Sequence, residues 1–320
     1  MSIKKLFVIL LFISSLSACK KDEIELLTDE VNSGTKFDLW DVQFVSDSIG
    51  YMCGGQYWDL GVCMKTTDGG HTWNDSNYIF HGGAFSMHFF NEQEGFICGI
   101  NNQIAFTANG GNTFSSVYID PVHIPAYQVV FNDRQHGVVA SGGSFGQGTL
   151  SHTADGGLTW SQTEYTHNFA SISYADSNTV YAGGYGVVYK STDKGASFNP
   201  TYAKGDYFKG IHFFDPITGI AVGYEGLIIK TRDGGQTWDK SKLGNGPFSK
   251  REYLSGVDFW DNNTGYVFGE YGAMYKTTDG GDNWQKVKQF TGEHIRGIHL
   301  FNAREGIVVC SGGKVFLFKS

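Results

Sequence analysis

The chain is written in short runs of alternating apolar and polar residues, separated by breaks rich in Gly, Asp and Asn. Alternation with period two is the signature of a half-buried β-strand. No long stretch holds the 3.6-residue period of an amphipathic helix. One short apolar motif recurs seven times, as Val42-Gln43-Phe44, Met87-His88-Phe89, Val129-Val130-Phe131, Ile172-Ser173-Tyr174, Ile211-His212-Phe213, Val257-Asp258-Phe259 and Ile298-His299-Leu300. A polar turn follows each copy, then a second strand such as Ile220-Ala221-Val222-Gly223. A Gly-containing link leads on to a third, such as Leu227-Ile228-Ile229-Lys230.

A second motif recurs six times after these third strands. It runs from an acidic or Asn residue through a Gly-rich turn to an aromatic: Asp68 to Trp73, Asn109 to Phe114, Asp155 to Trp160, Asp193 to Phe198, Asp233 to Trp238 and Asp279 to Trp284. Its copies lie 38 to 46 residues apart, the length of one four-stranded propeller blade. The Asp carboxylate is suited to accept backbone N–H groups across a tight turn, and glycine supplies the positive φ. The aromatic ring opens the fourth strand and is expected to wedge between blades, where burial is worth on the order of 2–3 kcal/mol. Asn109 with Phe114, and Lys194 with Phe198, depart from the pattern, so the turns of blades 2 and 4 are expected to be less firmly locked. The fold class is therefore all-β, a seven-bladed β-propeller of four-stranded antiparallel blades. The seventh unit ends at Ser320 after its third strand, leaving an open edge. The segment around Ile24 to Lys36 is predicted to fill it. The resulting division is a leader over 1–18, a tether and closing strand over 19–36, and the propeller over 37–320.

The six-fold motif resembles the Asp box, or BNR repeat. Residues 223–238, reading Gly-Tyr-Glu-Gly-Leu-Ile-Ile-Lys-Thr-Arg-Asp-Gly-Gly-Gln-Thr-Trp, are similar to the photosystem II stability/assembly-factor-like propellers, and the resemblance runs over all seven blades. It implies binding and assembly of a protein complex without chemistry. The partner itself is not carried over.

The N-terminus sets the compartment. Lys4 and Lys5 precede an apolar run from Leu6 to Leu16, too short for a good membrane span, and then Leu16-Ser17-Ala18-Cys19. This end resembles a bacterial lipobox, which implies a diacylglycerol anchor on Cys19. Lys20-Lys21-Asp22-Glu23 resembles the surface-export tag of Bacteroidota lipoproteins, so the expectation is an outer-membrane lipoprotein facing the cell exterior. Loss of Lys4 and Lys5 with the leader takes the net charge from −8 to −10. Such a chain is unsuited to nonspecific nucleic-acid binding, which needs clustered Lys and Arg.

Candidate chemistry is sparse. Asp boxes also occur in sialidases, whose substrate carboxylate is held by three arginines. Of the five here, Arg134, Arg232 and Arg304 fall on the box side of the propeller, and only Arg251 and Arg296 are placed in connectors opposite. His88, His212 and His299 share one position in three blades and read as core or channel histidines; no compact metal-ligand spacing is present. Cys53 and Cys98 match in blades 1 and 2, and Cys53 with Cys63 is placed for a cross-strand disulfide. No catalytic residue, cofactor or metal is predicted. Loops on a rigid scaffold concentrate binding function, and Tyr, Trp and Arg dominate interface hot spots. The predicted partner-binding set is therefore Tyr57, Trp58, Tyr185, Tyr224, Arg251, Tyr271 and Arg296. A protein complex is the expected partner; the alternative is a glycan-binding protein or a glycoside hydrolase of the Asp-box propeller type.

Overall fold

A computed structural model describes residues 23–74, 77–119, 124–143, 146–244 and 252–320. Cys19, the leader and Arg251 lie outside them. The described strands form seven four-stranded antiparallel sheets, each running from an inner strand at the axis to an outer strand at the rim. The inner strands are Asp38–Phe44, Ala84–Phe89, Ala126–Phe131, Phe169–Tyr174, Phe208–Phe213, Leu254–Phe259 and Ile295–Leu300. The Asp-box turns lie on one face. The opposite face carries the links between second and third strands and the connectors between blades; it is called the connector face below.

Blade 7 closes as the sequence predicts. Leu27–Asn32 pairs antiparallel with the last strand, from Leu27 opposite Lys319 to Asn32 opposite Lys314. The preceding residues reach further than expected. Ile24 bridges Val287 of blade 6, donating its N–H to the Lys286 carbonyl at 2.8 Å and accepting from Lys288 N at 2.7 Å. The N-terminal segment thus ties two blades together at the rim.

The core is divided among the blade interfaces. Seven apolar clusters each join one blade to its neighbour; that between blades 6 and 7, for example, holds Tyr266, Phe268 and Met274 against Ile298, Val308 and Phe316. The box aromatics enter these clusters from the box face. Trp160 meets Phe131 of its own blade edge-on at 5.8 Å and Phe96 of the preceding blade at 6.5 Å.

The box turns are built alike. In blade 1 the Asp68 carboxylate accepts Thr72 N at 2.9 Å and the Thr72 hydroxyl at 2.6 Å, Thr66 Oγ1 accepts Gly70 N, and the Trp73 indole donates to the Gly70 carbonyl at 3.1 Å. These hydrogen bonds hold the Asp68, Asp155 and Asp233 carboxyls down at about 2, the partner threonine hydroxyl being the largest cause. Blade 2 is locked as firmly as the others, contrary to expectation. Asn109 keeps the backbone bond to Thr113 N at 2.9 Å and offers its amide N–H to the Thr113 hydroxyl. Blade 4 also keeps the full set around Asp193, but Lys194 sits at φ 63° where other boxes have glycine. Only the indole bond is lost where Phe114 and Phe198 replace Trp.

Candidate binding site at the channel mouth

Each inner strand carries a β-bulge at the same place. Pairing with the second strand skips one residue in every blade, between Leu39 and Asp41, Ala84 and Ser86, Ala126 and Gln128, Phe169 and Ser171, Phe208 and Gly210, Leu254 and Gly256, and Ile295 and Gly297. A bulge inserts an unpaired residue and re-aims its side chain. The seven bulged residues are Trp40, Phe85, Tyr127, Ala170, Lys209, Ser255 and Arg296, and all seven line one central cavity of about 550 Å³. They form a ring near its connector-face end. The residue after the bulge is glycine in blades 5, 6 and 7, serine in blades 2 and 4, Asp41 in blade 1 and Gln128 in blade 3; the strands converge at the glycines, where an added Cβ on Gly210 would stand 2.7 Å from the Gly256 Cα.

The ring is aromatic on one side and cationic on the other. Trp40 packs edge-on against Phe85 at 5.1 Å, and Phe85 lies 5.8 Å from Tyr127. The Arg296 guanidinium stacks on the Trp40 ring at 3.9 Å and reaches Asp38 at 3.6 Å. Lys209 lies over Tyr207 at 5.7 Å and Tyr224 at 5.4 Å. Burial and the charge of Arg296 push the Lys209 ammonium down, against an opposite pull from Glu270. Tyr207 is anchored by its hydroxyl, which donates to Asn168 Oδ1 at 2.8 Å.

Deeper in the cavity two carboxyls face the lumen. Asp41 accepts Val42 N at 2.8 Å, Met87 N at 3.0 Å and the Ser86 hydroxyl, bracing blade 1 against blade 2. Asp258 accepts its neighbour Phe259 N at 2.9 Å. Burial raises them to about 6 and about 7 respectively. Both Asp41 oxygens are occupied by backbone donors. The three equivalent histidines pack on aromatic rings, His88 and His212 tilted against Phe131 and Phe259 of the next blade and His299 stacked on Phe44 of blade 1. Burial holds all three down at about 4. Among the described residues no three His, Cys, Asp or Glu side chains are grouped as metal ligands.

The predicted partner-binding residues divide into three groups. Tyr224 and Arg296 line the cavity. Tyr57 packs on Phe85 at 5.3 Å and Tyr185 on Tyr207 at 6.1 Å, one contact outside the ring. Trp58, 72 % exposed, and Tyr271, 60 % exposed, stand out in solvent, Trp58 edge-on to Tyr57 at 4.7 Å and Tyr271 beside His294 at 4.8 Å. Arg251 lies outside the described residues. One placement is corrected. Arg296 is in an inner strand, not a connector, because the bulge absorbs the residue that seemed to precede the strand. Tyr271 lies in the link turn equivalent to that of Tyr224, one position further on: it and Glu225 occupy the positive-φ centre, at 55° and 57°. Glu270 takes the Tyr224 position. Cys53 and Cys63 do lie opposite one another, as free buried thiols, with burial pushing Cys63 up to about 12. Trp40, Phe85, Tyr127 and Lys209 were not singled out from sequence, although the Asp, Ser or Gly directly after Trp40, Phe85 and Lys209 was a usable signal.

Other proteins share this architecture. YCF48 bound to a D1 peptide superposes with a TM-score of 0.73 at 17% identity, covering 93% of this chain and 100% of the other. YCF48 from Cyanidioschyzon merolae gives 0.69 at 17%, covering 91% and 98%. A catalytically inactive virginiamycin B lyase from Staphylococcus aureus with quinupristin gives 0.70 at 9%, covering 92% and 99%. No curated protein matches the chain. The family model described as photosynthesis system II assembly factor YCF48 matches residues 22–126 and 202–297, more than half of the sequence. The chain belongs to that family.

Proposed function

We propose that this protein is a non-catalytic scaffold of the cell envelope, anchored through Cys19, that holds a segment of a partner protein at the connector-face mouth of its channel. The observation that carries the reading is the ring of seven bulges. A bulge disrupts the ladder locally, and here the same disruption recurs in every blade to turn one side chain toward a shared opening. Five of the surrounding side chains, Trp40, Phe85, Tyr127, Tyr207 and Tyr224, are aromatic, the residue class that anchors protein interfaces. A solved family relative, YCF48, was captured with a peptide of D1, which supports a protein ligand here without naming it.

The test is site-specific photo-crosslinking in cells, with the reactive group at Tyr57 or Tyr224 on the mouth and at Leu158 on the box face, where 83 % of the residue is exposed. A discrete protein adduct is expected from the two mouth positions and not from Leu158. Adducts of equal yield from both faces, or from Leu158 alone, overturn the assignment.

A further inference from the structure

The proposed reading leaves the chemistry of the bound segment open, and the mouth carries more information about it. Two N–H donors there are buried without an acceptor: Trp40 Nε1 and Arg296 Nε. An unpaired buried donor is costly and calls for an explanation. The two groups belong to stacked side chains, the guanidinium lying 3.9 Å from the indole ring. Among the described residues Arg296 has an ion-pair partner only in Asp38, at 3.6 Å, and Asp38 Oδ1 is also engaged by Gly312 N at 2.8 Å. Lys209, across the ring, forms no ion pair among the described residues and is held between two tyrosine faces. Two mutually repelling cations and two orphaned donors thus share one opening.

We propose that Trp40, Lys209 and Arg296 form a receptor for a single carboxylate, carried to the mouth by the partner's acidic side chain or chain end. This rests on the function proposed above and specifies its ligand. A carboxylate accepts on two oxygens at once. It would take the Arg296 Nε–H edge and the indole N–H, both closed to solvent in this structure, once the stacked pair shifts to admit it, while facing the Lys209 ammonium. A phosphate dianion is disfavoured, because Asp38 and Glu270 stand at the mouth and Asp41 and Asp258 lie within the channel below. With Lys209 and Arg296 already offset by Asp38 and Glu270, the site draws a carboxylate through its unpaired N–H donors rather than through net charge, and each further negative charge on the ligand is opposed.

The test is fluorescence anisotropy at low salt with the full mature chain and labelled decapeptides of Ala, Ser and Tyr. The peptides carry one Glu or one Gln, with the C-terminus free or amidated. Peptides bearing a carboxylate are expected to bind roughly tenfold more tightly than the Gln, amidated control. The Glu-amide and Gln-free members separate a side chain from a chain end as the source. Arg296→Gln and Lys209→Met should each erase most of that preference, and Trp40→Phe, which keeps the ring and removes the N–H, should reduce it. Asp38→Asn, which keeps the acceptor for Gly312 N, should sharpen it. Thermal melting establishes that each variant is folded. Equal or no binding of all four peptides overturns the proposal, as does a preference unchanged in the Arg296→Gln/Lys209→Met double variant. Stronger competition by inorganic phosphate than by acetate overturns the carboxylate assignment. If mouth crosslinks persist while the carboxylate preference is absent, this inference falls and the binding face stands.

Discussion

Asp258 shows how much a single repeat position can differ between blades. The residue before the inner-strand aromatic bridges to the next blade in several cases: Gln43 accepts Phe89 N at 2.8 Å and Ser173 accepts Phe213 N at 2.9 Å. In blade 6 the same position is a carboxyl, raised to about 7 by burial first and by Asp41 second. A folded-state value above the unfolded one means that the folded chain retains its proton while the unfolded chain loses it. Between about pH 4 and pH 7 Asp258 therefore subtracts stability as the pH rises. Asp258→Asn should be more stable than the parent at pH 7, on the order of 2–3 kcal/mol, with the gain vanishing near pH 4. The three buried histidines act in the opposite sense. Held at about 4, they remain neutral in the folded chain and lose stability as the pH falls below about 6.5. Urea titrations of parent and variant across this range separate the two contributions; a pH-independent difference between them would exclude the buried-carboxyl account. The sequence placed His212 in the core or channel through its repeat position, but Asp258 read as an ordinary polar position of an alternating strand. Their neighbours across the blade interface decide their behaviour. The box turns were legible because the side-chain hydrogen bonds of their Asp or Asn close within a few residues of chain.

At the scale of elements, strand number, order and the missing outer strand of blade 7 could be read from the repeat count. Seven inner strands against six boxes left one place for an N-terminal strand. The bulges could not be read from alternation, since an inserted residue shifts the phase of a short strand and looks like an earlier strand start. That is why Arg296 was placed in a connector. The closing strand is mostly exposed, but Leu26 just before it is buried in the blade 6–7 core and Val31 and Ser33 turn inward at its end, so the segment contributes mainly through Leu26 and through backbone pairing along Lys314 to Lys319, with ion pairs of Glu30 with Lys314 and Glu25 with Lys288 beside them. Exposed ion pairs contribute little, whereas an open ladder edge invites association. A chain starting at Phe37 should melt about 10 °C or more lower and aggregate on heating, and a peptide of residues 23–36 added in trans should restore part of the loss. Calorimetry that finds the same melting temperature with and without the segment would show that blade 7 closes by other means.

For the whole molecule, the closing strand joins the fold to the tether. Glu23 is the first described residue and only four positions after Cys19, a reach of about 14 Å at full extension. Ile24 is fixed on the outer strand of blade 6 and Leu27 lies beside Asp68, Gly69 and His71 of the first box turn. The chain therefore enters the propeller at its rim from the box side, and an anchor on Cys19 would hold that side close to the bilayer. The mouth, with Trp40, Lys209 and Arg296, opens on the other face. Such an orientation suits a scaffold that presents its channel away from the membrane, and it makes the anchor separable from binding. Cys19→Ala should move the protein from the membrane to the soluble fraction and remove a lipid-sized mass from the N-terminal peptide. Its melting temperature and its binding of the acidic decapeptide should be unchanged. A Cys19→Ala protein that still sediments with membranes after a carbonate wash would place the attachment elsewhere on the propeller, and one that loses peptide binding as well would mean that tether and mouth are coupled through the closing strand.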